Sequence, residues 1–242
     1  MNMNMNQFVW DELKFFIERL SSLRVSESLS FSDDSFCVYT NTNSENMIYD
    51  PDCMIDTESV MKFFNERDAS FMWFTRNAES LRHSGLIYTG DLIAMSLESK
   101  HESKYESNPE IEVRRINSHS DSELWARTAW RAFGSEGDVS DNYYAFVDSL
   151  LDDSENLSLW LAFHEGHASG TLLTTIMGGV YYVGVVPEKR RKGIAREMLN
   201  EICRHNTRLV LQATPSGYEL YKNFGFNELF KIPLYSNEED ML

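Results

Sequence analysis

The stretch VGVVPEKRRKGIAREML, residues 183–199, decides how this chain folds and what its second half can hold. Up to Pro187 the residues are apolar and largely β-branched, as in a strand. Beyond it the period changes. Ile194, Ala195, Met198, Leu199 and Ile202 form the apolar stripe of a helix, with Arg196, Glu197, Asn200, Glu201 and Arg204 facing away. Gly193 stands where that helix begins. The first N–H groups of a helix have no carbonyl partner inside it, and the helix dipole adds partial positive charge, so such a start suits an anion. Gly193 and Ala195 keep side chains out of the way, while Arg190, Arg191 and Lys192 supply charge in a chain of net charge −16. That local reversal of sign is the cue for a bound polyanion. The competing reading is a surface turn with a basic cluster, and the glycine and charges alone weigh the two equally.

Working outward, LSLWLAF (157–163), SGTLLTTIM (169–177) and VYYVGVV (180–186) read as three strands broken by HEGH and GG turns. IEVRRI (111–116) is a strand before them, followed by amphipathic helices SELWARTAWRAF (122–133) and NYYAFVDSLL (142–151). Downstream come a buried strand LVLQA (209–213), a short helix SGYELYKNF (216–224) and a last strand ELFKIPLY (228–235). An antiparallel meander leading into a strand–helix–strand crossover is mixed α/β, that is, α+β with a mixed sheet. In the first half, a helix is expected over about 7–24, strands at 35–40, 46–49, 71–75 and 92–97, a helix capped by Asp56 or Thr57, and a short helix at 77–85. ESKHESKYESNPE (98–110) has no apolar period and reads as a linker, dividing the chain into domains 1–105 and 106–242.

The run Val185-x-Pro187-x-x-Arg190-x-x-Gly193-x-Ala195 resembles the V-x-P-x-x-[RQ]-x-x-G-x-[GA] signature of the GNAT superfamily of acyl-CoA N-acyltransferases. Leu220-Tyr221-x-x-x-Gly225-Phe226 resembles that family's second block, LYxxxGF, and one helix and one strand fill the distance between the two. The resemblance covers residues 110–242 and implies a GNAT-like fold with acetyl-CoA as cosubstrate. It implies that Val183, Gly184 and Val185 lie on the strand that hydrogen-bonds the pantetheine arm. Arg190 would belong to the cofactor turn, and Arg191, Lys192, Gly193, Ile194, Ala195 and Arg196 would wrap the pyrophosphate. Tyr221 matches the tyrosine that protonates the leaving thiolate; a phenol's pKa of ~10 lies above a thiol's, so it keeps its proton until sulfur departs. Two features depart from the family. Thr214 stands where an asparagine contacts the cofactor, with its hydroxyl or Gln212 as substitutes, and the tail after Phe226 is short for two strands.

FMWFTRNAESLRHSGL (71–86) and LVLQATPSGYELYKNFGF (209–226) share the order strand, short helix, Gly-apolar, strand. Aligning Gly85 with Gly225 sets Leu81 opposite Tyr221 and finds no cationic turn in the first half. The first domain therefore reads as a degenerate GNAT-like scaffold in a tandem arrangement, one that helps to shape the acceptor pocket.

Function follows as transfer of an acetyl or other acyl group to a primary amine of a small molecule or peptide. The alternative is a CoA-binding sensor or partner protein without turnover. The charge of −16 and pI near 4.7 argue against nucleic acid; they would favour a cationic acceptor, but simple solubility accounts for them more readily. No apolar run suits a membrane span, the start lacks a signal-peptide pattern, and a cytoplasmic location is expected. Cys37, Cys53 and Cys203 lack metal spacing and read as reduced thiols, so no metal is expected. His164 and His167, in the turn with Glu165, read as solvent-exposed. One of Tyr181 and Tyr182 should face the cleft by strand alternation, a general base is not legible, and a homodimer is compatible with the sequence.

Overall fold

The structure is a computed structural model describing residues 4–42, 45–82, 84–98, 107–135 and 137–238. Most of the expected linker 98–110, and the domain boundary at 105/106, lie outside the described residues. The helices are α1 (Met5–Ser21), α2 (Thr57–Asn65), α3 (Ala78–Leu81), α4 (His119–Ala132), α5 (Asp141–Asp152), α6 (Ile194–Cys203) and α7 (Tyr218–Phe224). The strands are β1 (Glu27–Ser32), β2 (Ser35–Tyr39), β3 (Met47–Tyr49), β4 (Met72–Phe74), β5 (Ile87–Glu98) and β6 (Ile111–Arg115). They continue with β7 (Leu157–His164), β8 (His167–Thr175), β9 (Val180–Val185), β10 (Arg208–Ala213) and β11 (Asn227–Ser236). One sheet has the order β1-β2-β3-β4-β11-β5-β10, the other β6-β7-β8-β9. Among the described residues no helix is long and apolar enough to cross a membrane.

The chain forms two compact units, and their division is not a single cut. One comprises Met1–Met95, Gln212–Glu219 and Glu228–Leu242; the other comprises Ser96–Leu211 and Leu220–Asn227. In the first unit α1 buries Val9, Trp10, Leu13, Phe16, Ile17 and Leu20, the i, i+3/i+4 stripe expected of an amphipathic helix. Of the two caps expected for α2, Asp56 and Thr57, it is Asp56 that accepts from Ser59 N. Val60 and Phe64 of that helix join Phe71, Trp73, Ile48 and Tyr235 in one apolar cluster. The chain's tail supplies one strand rather than two. β11 inserts beside β4, pairing Leu234 with Phe74 and Tyr235 with Trp73, and the Tyr235 hydroxyl donates to Ala78 O at 2.7 Å.

β1 is a strand the sequence analysis does not anticipate: Leu29 and Phe31 alternate with serines, but the run is short and all six of its residues are exposed. The strand–helix–strand order β4-α3-β5 matches β10-α7-β11, as the comparison of the two segments anticipated.

The second unit is built on the antiparallel meander β6-β7-β8-β9. β7 and β8 are joined through Glu165 and Gly166, both at positive φ, the backbone a two-residue hairpin of type I′ needs. Helices α4, α5 and α6 bury Trp125, Ala129, Phe146, Leu150, Met198 and Ile202. α4 packs on β8 and β9, and α6 on all four strands. Two residues expected to face away from the α6 stripe are buried, Glu197 at 5% and Asn200 at 8% exposure. The Glu197 carboxylate accepts from Ser107 Oγ (3.2 Å), Asn108 N (3.3 Å) and Asn200 Nδ2 (3.4 Å), so it anchors the entry segment of the unit. Helical periodicity could not announce this, because Ser107 and Asn108 lie 90 and 89 residues away in the chain.

Candidate functional site

The site grows from the way β9 leaves its neighbours. β9 is the edge of its sheet, and the segment before it touches β10 at an isolated parallel bridge, Gly179 with Val210. Val210 N donates to Gly178 O at 3.0 Å. Gly178 has φ +93°, and a Cβ there would come closer than 3.0 Å to the carbonyl oxygen of Arg208. Only glycine lets the two backbones meet so closely. Among the described residues no further bridge joins β9 to β10, so the side of β9 turned away from β8 keeps main-chain groups that the sheet does not use.

β9 also carries a bulge. Tyr181 pairs with Leu173 and Gly184 with Thr171, so Tyr182 and Val183 together oppose Leu172 alone. Tyr182 takes φ +52°, and its carbonyl accepts from the Thr171 hydroxyl at 3.1 Å. The extra residue breaks the period of two, which is why alternation alone could not tell Tyr181 from Tyr182. Tyr182 packs against α4, with ring centroids 5.5 Å from Trp125 and 6.4 Å from Phe133. Gly184 lets α4 come close: a Cβ there would lie 2.9 Å from Ala132 Cβ and 3.2 Å from Phe133 Cζ.

After β9 the chain makes a 3-10 turn, Pro187–Lys189, and then a loop with Arg191 at φ +64° and Gly193 at φ +86°. Two cations of this loop, Arg190 and Lys189, have separate tasks. Arg190 donates through Nε to Val185 O (3.1 Å) and through Nη2 to Ala132 O (2.9 Å), tying the end of β9 to the end of α4. Lys189 reaches back to the β7–β8 hairpin, with Nζ 2.6 Å from Glu165 Oε2 and 3.2 Å from His164 Nδ1. That hydrogen bond holds the Glu165 carboxyl below its ordinary range. Arg191 and Lys192 are exposed. Arg131 pairs with Glu188, a second tie between α4 and the turn.

His164 is buried at 4% exposure, whereas the sequence reading placed it in solvent. The hairpin is shorter than that reading assumed. His164 is the last paired residue of β7, opposite Ile111 and His167, and lies beneath Lys189. His167 is exposed, as expected.

α6 begins without a side-chain cap. Among the described residues the other helices of nine residues or more are closed by Asn4, Asp56, Ser118 and Ser140. At α6 the N-cap is Gly193, left-handed and bare, and the first internal bond runs from Glu197 N to Gly193 O at 3.0 Å. Ile194 and Ala195 thus have no helical carbonyl to donate to. A Cβ on Gly193 would meet Arg196 Nη2 at 3.0 Å, so the Arg196 guanidinium lies over the same opening. Left-handed residues alternating with others in a short loop turn their N–H groups toward one concavity, a recurrent anion cradle.

The segment around Tyr221 explains itself as a helix stop. Phe226 N donates to Tyr221 O (3.0 Å) and Gly225 N to Lys222 O (3.2 Å), with Gly225 at φ +122°. This is the paired hydrogen bonding of a Schellman motif, with Phe226 folded back to 5.7 Å from the Tyr221 ring. Tyr221 is buried, and burial raises its phenol above the ordinary tyrosine range. Thr214 groups with the first unit. Its Oγ1 accepts from Gly217 N (3.3 Å) and bonds Ser216 Oγ (3.0 Å), shaping the turn into α7.

Comparison with known proteins meets this geometry from outside. The family described as acetyltransferase (GNAT) domain matches residues 155–228. Residues 155–228 are similar to a GNAT domain. β7 through α7, with the bulged edge strand and the uncapped helix, all fall inside those residues. No curated protein matches the chain. Among solved structures, a GCN5-related N-acetyltransferase from Kribbella flavida is similar over 97% of this chain and 96% of its own, with TM-score 0.65 and 12% identity. A GCN5-related N-acetyltransferase from Sphaerobacter thermophilus is similar over 87% of this chain and 82% of its own (TM-score 0.59, 16% identity). A functionally unknown conserved protein from Staphylococcus epidermidis covers 88% of this chain and 94% of its own (TM-score 0.61, 13% identity). These likenesses extend beyond the GNAT domain to nearly the whole chain, so the fold is GNAT-like α/β in a tandem arrangement.

Proposed function

We propose that the protein is an acyl-CoA N-acyltransferase that moves an acetyl group from acetyl-CoA to a primary amine of a small molecule or peptide. The observation that carries this is the start of α6, a bare left-handed Gly193 with unused first-turn N–H groups among Arg191, Lys192 and Arg196. A diphosphate is a polyanion of the size such a cradle accepts. Val183, Gly184 and Val185, on the unpaired side of β9, would bond the pantetheine amides as a neighbouring strand would. Arg190, engaged with two carbonyls, positions the turn rather than touching the ligand. Thr214 would offer a hydroxyl to the cofactor, in competition with its present bonds in the turn.

In this reading a neutral amine attacks the thioester carbonyl carbon, and the carbonyl electron pair moves to oxygen, where main-chain N–H groups of β9 stabilise it. The C–S bond then breaks, and Tyr221 gives its proton to the departing sulfur. Burial suits that task by keeping the phenol protonated. The amine sheds its proton to water or to a base. The charge of −16 favours a cationic acceptor in the encounter. The first unit, which lacks the cationic turn, serves as the degenerate member of the pair.

Calorimetry with acetyl-CoA and CoA, followed by thiol release over a panel of primary amines, tests the proposal. Micromolar binding with amine-dependent thiol release is expected. Binding without release from any amine would favour the sensor reading, and absence of binding would remove both.

A further inference from the structure

The first unit contains a cleft of about 320 Å³ lined by Asn4, Asn6, Gln7, Trp10, Arg76, Phe230 and Lys231. Nothing in the acyl-transfer reading uses it. Its lining holds two cations and no acid, although the chain has 38 acidic against 22 basic residues. The polarity is local and built.

The Arg76 guanidinium lies over the Trp10 ring, 4.9 Å from its centroid, and that indole also contacts Phe230, stacked at 6.2 Å and 18°, and Tyr49, edge-on at 6.1 Å. The polar partners of Arg76 are distant for a guanidinium: Gln7 Oε1 at 3.5 Å and Asp52 Oδ1 at 3.9 Å. Gln7 is itself oriented, since its Nε2 donates to Asp11 at 2.7 Å and leaves Oε1 for Arg76. Asn4 spends Oδ1 on capping α1, accepting from Asn6 N at 3.1 Å, so its amide nitrogen is a donor at the rim. Lys231 adds an ammonium, shared with Asp91 at 3.2 Å.

We infer that this cleft binds a small organic carboxylate. A guanidinium seated over an indole keeps its paired N–H donors, at the spacing of two carboxylate oxygens, for a ligand. The Asn4 amide and the Lys231 ammonium add further donors at the rim, and Trp10 and Phe230 give the ligand's carbon chain an apolar wall. The volume lies at the small end of ligand pockets, which run from about 300 to 1,000 Å³, so the ligand is of amino-acid or dicarboxylic-acid size.

The test uses the full chain. Acetate, succinate, glutamate, benzoate and inorganic phosphate are titrated separately by calorimetry and by tryptophan emission, with Trp10→Phe identifying the Trp10 signal. At least one carboxylate should bind saturably below about 10 mM, and Arg76→Ala should weaken it about tenfold or more, with Arg76→Lys in between because the two-point geometry is lost. Circular dichroism checks each variant's fold. If Arg76→Ala does not fold, Lys231→Ala at an exposed position takes its place, with a smaller loss expected. No saturable carboxylate binding, unchanged affinity in the variants, or binding of phosphate alone would overturn the inference.

Discussion

Replacing Gly178 by alanine tests whether β9 and β10 really part from a point of close backbone contact. Two costs arise at this position. Alanine at φ +93° carries the left-handed penalty, about 1–2 kcal/mol. Its Cβ must also push the Arg208 carbonyl aside, because a backbone atom cannot swing away as a side chain can. That overpacking costs about 1–3 kcal/mol. Losing the bond from Val210 N to Gly178 O costs about 1 kcal/mol more. Gly166→Ala is the control, since Gly166 has φ +76° with nothing within 4 Å of the added Cβ. It should show the first cost alone. The variants should therefore differ by about 2 kcal/mol or more in urea unfolding, roughly 4–8 °C in Tm for a chain of this size. Acetyl-CoA affinity should fall in Gly178→Ala and hold in Gly166→Ala. Equal destabilisation of the two variants would refute the close approach, and with it the account of how β9 is set free.

Four further outcomes are expected. Gly193→Val should abolish measurable CoA binding by calorimetry, since a β-branched side chain fits neither φ +86° nor the space under Arg196. Tyr221→Phe should lower turnover about a hundredfold while CoA affinity holds, the signature of a proton donor rather than a binding group. A chain ending at residue 226 lacks β11 and the buried Ile232, Leu234 and Tyr235, so hydrogen exchange should show β4 unprotected. The Asp121 carboxyl is held below its ordinary range, first by the paired hydrogen bonds from Arg114 at 2.8 and 3.1 Å. A folded pKa below the unfolded one contributes stability that is complete above the ordinary aspartate range. It is lost as pH falls through the lowered value. The gap in urea stability between the wild type and Asp121→Asn should therefore be wide at pH 7 and close on acidification.

Much of the cofactor cradle could be read from residues 183–199, because every feature it needs is local: a strand that ends at a proline, a glycine at a helix start, and cations between them. The same holds for the helix stop at Gly225, where hydrogen bonds span at most five residues. Sequence periodicity likewise fixed the type of nearly every element, since burial on one face imposes it. What it could not fix were partners distant in the chain. Whether Arg190 meets a phosphate or two carbonyls, whether His164 is wet or buried, and whether Glu197 faces water depend on contacts 25 to 90 residues apart. The bulge at Tyr182 needs a register mismatch with β8, which no single strand encodes. The tail's place beside β4, and the cleft between Trp10, Arg76 and Phe230, arise only when residues from the two ends of the chain come together. Local sequence thus sets the backbone's conformation and its unsatisfied groups, because those depend on neighbours along the chain. Tertiary structure decides which group satisfies them, because that depends on which surfaces fold onto one another.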